Sequence, residues 1–329
     1  MCLKQQYKAM NAIHPKVSVI IPVYKAEKYI ARCIVSLFEQ TLSSLEYIFV
    51  DDCSPDNSIN ILETIMQKYP HRISHVKLLR NEENIGVGRS RQRGLDNATG
   101  EYVIHCDPDD WVEPKAYEDL YGIAIRDNAD MVICGIAEER DGKVINSSPQ
   151  VKDQSNNALI NDLFTGSLHG SLCNKLINHK FIADNHISFI DGLNMCEDLT
   201  FCIQVLQKQA KISMLDHCYY HYDLKINPNS ISSKKSKVHS DQYFKLLHAY
   251  NRLISDKHSM NYHNAITFLA YWAFMHNLFS TKEYVKMHLP QLNHLVFNEL
   301  GLKEKIITTL SALGAKAIMF NLYLKLRHD

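Results

Sequence analysis

His105-Cys106-Asp107-Pro108-Asp109-Asp110-Trp111 places three carboxylates, Asp107, Asp109 and Asp110, directly after the apolar run Tyr102-Val103-Ile104. In an α/β protein, ligands bind in the crevice beyond the carboxyl ends of the strands, so acids at such an end face a substrate. Oxygen ligands of this kind suit Mg²⁺ or Mn²⁺ rather than zinc, and a divalent cation there points to a phosphorylated ligand. A solvated Asp-Pro turn is the competing reading, since both residues favour turns. The flanking sequence decides between the two.

Upstream, strand and helix signals alternate at short spacing, the pattern of a mostly parallel sheet covered by helices. KVSVIIPVY reads as a first strand ending near Pro22, and Ile30, Cys33, Ile34, Leu37 and Phe38 then recur at helical spacing as one apolar face. A second strand, Tyr47 to Val50, runs into Asp51-Asp52, and the loop DDCSPDNS offers N-caps for a helix from about Ile59 to Tyr69. A third strand at His75 to Leu79 precedes NEENIGVGRSRQRGLDNATGE, whose middle reads as a helix ending at Ala-Thr-Gly. After the acids come a helix from about Pro114 to Arg126, with Pro114 in its first turn, and a strand at Met131 to Cys134. The strand ends thus carry Pro22 to Tyr24, Asp51-Asp52, the Asn84 to Arg91 loop and Asp107 to Asp110. An aromatic face, hydrogen-bonding acids, a cation and a metal-binding carboxylate together fit a nucleoside diphosphate.

Composition excludes other classes. With 329 residues, 46% apolar and 22% charged, the chain has an ordinary soluble composition and the length for one large domain or two. Its formal net charge of zero gives no global field for nucleic acid, so an anionic substrate must be held by local groups. Nine cysteines without a CxxC pair, and no leader-like opening, point to a reducing cytoplasm. His217 and His221 lack the intervening Glu of an HExxH zinc motif, and zinc is not expected. No run reaches the roughly 18 apolar residues of a membrane span.

Taken in order, VSVIIPVYKAEKYIARCIVSLFEQT, YIFVDDCSPDNS, NEENIGVGRSRQRGLDNATGEYVIHCDPDDWVEP, NKLINHKFI and MCEDLTF closely resemble glycosyltransferase family 2 over roughly residues 16–232. The resemblance implies an inverting enzyme of the GT-A fold, a Rossmann-like, mostly parallel α/β sheet with a C-terminal helical extension. It divides the chain into a tail (1–15), a catalytic domain (16–232; donor-binding half about 16–135, acceptor half about 136–232) and a helical region (233–329). Helix signals in the last region cover Tyr243 to Leu253, Ala265 to Leu278 and Lys303 to Leu326. The segment GAKAIMFNLYLKLRH within the last of these is basic and amphipathic, suited either to packing on the catalytic domain or to peripheral contact with an acidic membrane face.

By the same resemblance, Pro22, Tyr24, Asp51 and Asp52 belong to the nucleotide pocket, on its uracil side, and Arg91 meets the nucleobase or the phosphates. Asp107 faces the ribose, Asp109 of the DXD motif ligates Mn²⁺ or Mg²⁺, and Asp198, beside Glu197, is the catalytic base. Lys175, Phe189 and the Glu197-Asp198 helix are expected at the acceptor mouth. Three positions depart from the family pattern. Gln92 stands where Asn is usual, Asp223 where Arg is common, and Cys53 where Gly is common; a β-carbon at Cys53 argues against a left-handed backbone there. His221 is open to two readings, an added metal ligand or a strand residue. The implied reaction moves a sugar from a nucleotide-sugar, a UDP-sugar in the first instance, to a hydroxyl of a saccharide or lipid-linked saccharide in surface polysaccharide or glycolipid synthesis. A nucleotidyltransferase and a non-catalytic sugar-nucleotide-binding protein are the alternatives; the first lacks support in PVYKAEKYI, which is no Gly-rich basic loop.

Overall fold

In a computed structural model that describes residues 14–140, 143–149, 151–223, 238–275 and 278, the first strand, β1 (Val17–Val23), is buried at every position. Burial on both faces is what a central parallel strand requires, and it explains the near-continuous apolar run. β1 lies between β2 (Leu45–Asp51) and β4 (Tyr102–His105), parallel to both, and β3 (Val76–Arg80) extends the sheet beyond β2. Helix α1 (Ile30–Phe38) buries Ile30, Cys33, Ile34, Leu37 and Phe38, the face read from the sequence. Helices α2 (Ser58–Met66) and α3 (Val87–Asp96) complete the parallel half.

The second half continues the sheet with mixed polarity. β5 (Trp111–Val112), helix α4 (Ala116–Asp127), β6 (Met131–Arg140) and β7 (Lys143–Ser147) follow in the chain. After α5 (Asn156–Thr165) come β8 (Lys175–Asn178), α6 (His179–Asp184), α7 (Glu197–Gln207) and β9 (Ile212–Asp223). Among the described residues the sheet order is β3-β2-β1-β4-β8-β6-β9-β5, with β7 on β6. β8 runs antiparallel to β4 and so turns the sheet from its parallel to its mixed half. The chain divides into two units, Met1–Gln154 with His169–Ser230, and Ser155–Leu168 with Ile231–Asp329. In the second, α5 packs with α8 (Val238–Leu253) and α9 (Met260–Met275), where Phe164 meets Tyr250 edge to face at 5.4 Å.

Two element boundaries differ from expectation for local reasons. The helix read as ending near Tyr69 stops at Met66, and a 3₁₀ turn begins at Pro70; the residue before a proline is disfavoured in helical backbone. Pro114 lies before the α4 N-cap, Lys115, rather than inside the helix. The expected helix from Lys303 to Leu326 lies outside the described residues. No helix among the described residues is long and apolar enough to cross a membrane.

Candidate active site

The carboxyl ends of β1, β2 and β4 share one edge because the three strands are adjacent and parallel, with Val23 opposite Asp51 and Ile20 opposite His105. Pro22 is interior to β1, backing the edge, while Tyr24 just beyond it is 43% exposed with Lys25 Nζ 5.1 Å from its ring centroid. Asp51 is half-buried and accepts from the Ser54 amide at 2.8 Å. Asp52, expected on the nucleobase, turns inward. Its Oδ1 accepts from Asn81 Nδ2 and the Ile85 amide, both at 2.8 Å, and its Oδ2 from the Gly86 amide at 2.9 Å. A buried carboxylate needs such donors, and Asp52 uses them to fix the start of the Gly-rich loop. Cys53 overturns the expectation from its β-carbon: its φ is 56°, left-handed despite the side chain.

Beyond β4 the acids separate by burial. Asp107 and Asp109 are half-buried, and Asp110 is buried. Tyr220 on β9 donates its hydroxyl to Asp110 Oδ2 and accepts from the Asp107 amide at 3.2 Å, so one phenol pins both ends of the turn. Asp110 therefore serves the loop. His221 is a strand residue: its ring stacks on Trp111 at 3.6 Å, and its Nε2 lies 3.1 Å from Glu113 Oε1.

Arg91 joins this turn to the other half of the site. Expected to meet the nucleobase or phosphates, it is instead 3% exposed, its Nη2 donating to Asp107 Oδ1 at 2.7 Å and its Nη1 to Glu197 Oε1 at 2.5 Å. Burial opposes the charge on Arg91, but Asp107 and Glu197 outweigh it and hold the guanidinium protonated. Glu197 and Asp198 open α7 after Cys196, whose φ of 54° turns the chain sharply into the helix. Asp198 Oδ1 accepts from the Leu199 amide at 2.8 Å, at the positive end of the helix. Burial nevertheless pushes the Glu197 carboxyl up, to about 7, against the pull of Arg91. It raises Asp198 as well, again with Arg91 opposing. His105, buried edge-on to Phe189 at 5.5 Å, is held neutral by burial and by Arg91.

The acceptor-side expectations fare differently. Lys175 is 1% exposed, its ammonium donating to the carbonyls of His169 and Ser171 at 2.6 Å and to Asn174 Oδ1 at 2.8 Å; it braces the segment before β8. Phe189 is buried against His105 and Phe201. Neither lines an open mouth. Sequence reasoning missed Tyr220, Cys173 and Asn194. Cys173 Sγ lies 3.6 Å from Asp107 Oδ2, and Asn194 Oδ1 accepts from the Gly88 amide at 3.2 Å. The tyrosine run CYYHY was the visible signal for Tyr220; Asn194, two residues before Cys196, carried none.

No group of three or more His, Cys, Asp or Glu converges on a metal position among the described residues. Asp109, half-buried in the turn after β4, is a hard oxygen donor of the type that holds Mg²⁺ when substrate phosphates supply further ligands.

The sequence profile of "Glycosyl transferase family 2" matches residues 18–184, which span β1, the acids at the strand ends and β8. The chain belongs to this family. A putative glycosyltransferase, EpsH, of Bacillus subtilis is 34% identical over 229 residues, covering 68% of this chain and 64% of that protein. A cholesterol galactosyltransferase of Borreliella burgdorferi is 32% identical over 69% of this chain and 64% of its own length. The chain thus spans a little under two thirds of each. Among solved structures, S. aureus TarS 1–349 in complex with UDP-GlcNAc superposes with a TM-score of 0.64 at 23% identity, covering 95% of this chain and 92% of that one. At that identity the likeness establishes the shared GT-A fold.

Proposed function

We propose that the protein transfers a sugar from a UDP-sugar to an acceptor hydroxyl with inversion, Asp198 acting as general base. The observation that carries this reading is Arg91, whose two short ion pairs bring the Glu197-Asp198 turn to the donor edge beside Asp107. An acceptor hydroxyl is a poor nucleophile until a base takes its proton, and a base works best when its pKa approaches the working pH. Burial raises Asp198 in that direction. Its Oδ1 is oriented by the Leu199 amide, so the carboxylate is aimed before substrate arrives.

On the donor side, Tyr24 and Asp51 are the partly exposed groups at the strand ends and take the nucleobase. Asp107 meets the ribose. Asp109 holds Mn²⁺ or Mg²⁺, which when bound neutralises charge developing on the departing diphosphate. Loss of UDP from the face opposite the incoming hydroxyl needs no covalent enzyme intermediate, so one base suffices. A UDP-sugar donor is favoured because the structurally similar TarS binds UDP-GlcNAc. The acceptor is a saccharide or lipid-linked saccharide of a surface polymer.

A donor panel with Mn²⁺, Mg²⁺ or EDTA tests the reading. Metal-dependent release of UDP from one sugar nucleotide is expected. Release of pyrophosphate instead identifies a nucleotidyltransferase, and UDP binding with no turnover on any donor or acceptor identifies a binding protein.

A further inference from the structure

From Asn185 to Cys196 the chain forms no helix or strand, yet this stretch delivers Glu197 and Asp198. Its position must come from side-chain and backbone contacts rather than from a ladder. Ser188 pairs with Gln204 of α7 and Phe189 packs on Phe201, while the contacts that tie the segment to the donor half fall on the Gly-rich loop and first turns of α3. Phe189 donates its amide to Gln92 Oε1 at 2.8 Å, and Gly88 donates its amide to Asn194 Oδ1 at 3.2 Å. Arg89 forks onto Asp191 at 2.5 and 3.0 Å, but that pair is exposed and contributes little.

Steric contact is as tight as the bonding. A β-carbon on Gly88 would lie 2.2 Å from the Leu193 carbonyl oxygen, and one on Gly86, whose φ is 90°, would lie 2.4 Å from Asn194 Oδ1. Only glycine lets the two segments close. From behind, Asp52 takes the amides of Ile85 and Gly86, so the same loop is fixed on its other side by the residue next to Asp51. Gln92 completes the pattern: while Oε1 receives Phe189, its Nε2 donates to Asp96 at 2.7 Å, which orients the amide along α3. The departure from the family's Asn at this position thus supplies a longer arm that reaches the segment carrying the catalytic turn.

We propose that Gly88, Gln92 and Asn194 form a clamp that sets the Glu197-Asp198 turn against the nucleotide pocket, making Gln92 and Asn194 positioning residues of the transfer reaction. The clamp rests on Asp198 as the base. Neither residue touches substrate; each acts through where it leaves Asp198.

The test compares Asn194→Leu and Gln92→Met, which keep bulk and lose the acceptor oxygen, with Asn194→Asp, which restores it, and with Asp198→Asn. UDP affinity in Mn²⁺ is measured by calorimetry, kcat and KM by UDP release on the donor found in the panel, and amide exchange over Leu193 to Leu199 by mass spectrometry. The Leu and Met variants are expected to lose about 10- to 100-fold in kcat, as a displaced catalytic group does. UDP affinity and donor KM should stay within about twofold, and exchange at the turn should quicken; about twofold is within the scatter expected of near-neutral contacts. Asn194→Asp should recover most of the loss. Wild-type kcat in the Leu and Met variants alongside an inactive Asp198→Asn overturns the clamp alone. A fall in kcat matched by an equal fall in UDP affinity, or no recovery in Asn194→Asp, also overturns it, because general loosening of the fold then explains the loss. Wild-type turnover in Asp198→Asn removes the base reading and the clamp with it.

Discussion

Replacing Arg91 with methionine keeps an unbranched side chain of comparable reach while deleting the cation that joins Asp107 to Glu197. Each ion pair, with charge centres about 4 Å apart, is worth about 4 kcal/mol at an effective dielectric of 20. The desolvation of two buried charges, Arg91 and Glu197, and of the half-buried Asp107 offsets most of that sum, and removing one partner of such a group costs about 3–5 kcal/mol. The cost must depend on pH, with a sign fixed by Glu197. Burial already raises its carboxyl to about 7 with Arg91 opposing, so the folded state binds a proton that the unfolded chain releases at its ordinary value of 4.5. Stability from this group is therefore lost as pH rises from about 4.5 to about 7 in the wild-type protein. Without Arg91 the opposing influence disappears and the window extends above 7. The difference between variant and wild type should then widen as pH rises above 7, by at most about 1.4 kcal/mol per pH unit for that one proton. Urea unfolding at pH 5, 7 and 9, followed by tryptophan fluorescence, measures it. A difference that stays flat across this range, or one below about 1 kcal/mol at pH 9, refutes the placement of Arg91 as the counter-charge of Glu197.

Asp198→Asn should retain UDP binding by calorimetry and lose about 10²- to 10⁴-fold in kcat, the usual contribution of a general base. The acid limb of the wild-type kcat profile should lie above the ordinary carboxylate range, because burial raises both Glu197 and Asp198; a limb at or below that range contradicts the base assignment. Cys53→Gly should stabilise the protein by about 1 kcal/mol in urea unfolding, since a side chain in left-handed backbone costs about that much. Asp109→Ala should abolish the difference in UDP affinity between Mn²⁺ and EDTA, and an unchanged difference moves the cation elsewhere.

The parallel half was legible because each of its signals is local. The apolar face of Ile30 to Phe38, the buried run of β1 and the acids after β4 all follow from spacing over a few residues. What remained hidden depends on contacts far apart in the chain. Arg91 meets Glu197 across 106 residues, Gly88 meets Asn194 across 106, and Tyr220 meets Asp110 across 110. No periodicity encodes such pairs. The expectation for Cys53 failed for a different reason: it weighed only the intrinsic cost of a β-carbon, whereas Ser54, Asp56 and Ser58 hold the loop through bonds to Lys25, Glu27 and Ala26. Tertiary bonding there exceeds a local penalty of about 1–2 kcal/mol.

The placement of the acids also resolves why so many can share one edge. Carboxylates within a few ångströms of one another repel, and a set left to itself would take up protons and lose its use at neutral pH. Here the most deeply buried members are assigned to neighbours: Asp52 to backbone amides, Asp110 to Tyr220, and Glu197, together with Asp107, to Arg91. Of the partly exposed ones, Asp107 faces the ribose in the proposed reaction, and Asp51, Asp109 and Asp198 lie where a nucleobase, a cation and an acceptor hydroxyl arrive. The same buried partners fix the geometry of those three, since Asp52 adjoins Asp51, Asp110 adjoins Asp109 and Glu197 adjoins Asp198. Each of these three thus has a structural acid as its chain neighbour. Exchanging the two members of the Glu197-Asp198 pair, whose residue types differ, should therefore abolish function even though the charge count stays the same, and Glu197→Asp combined with Asp198→Glu makes that exchange. If that double variant transfers sugar at the wild-type rate, net negative charge at the edge is sufficient and the division of roles is wrong.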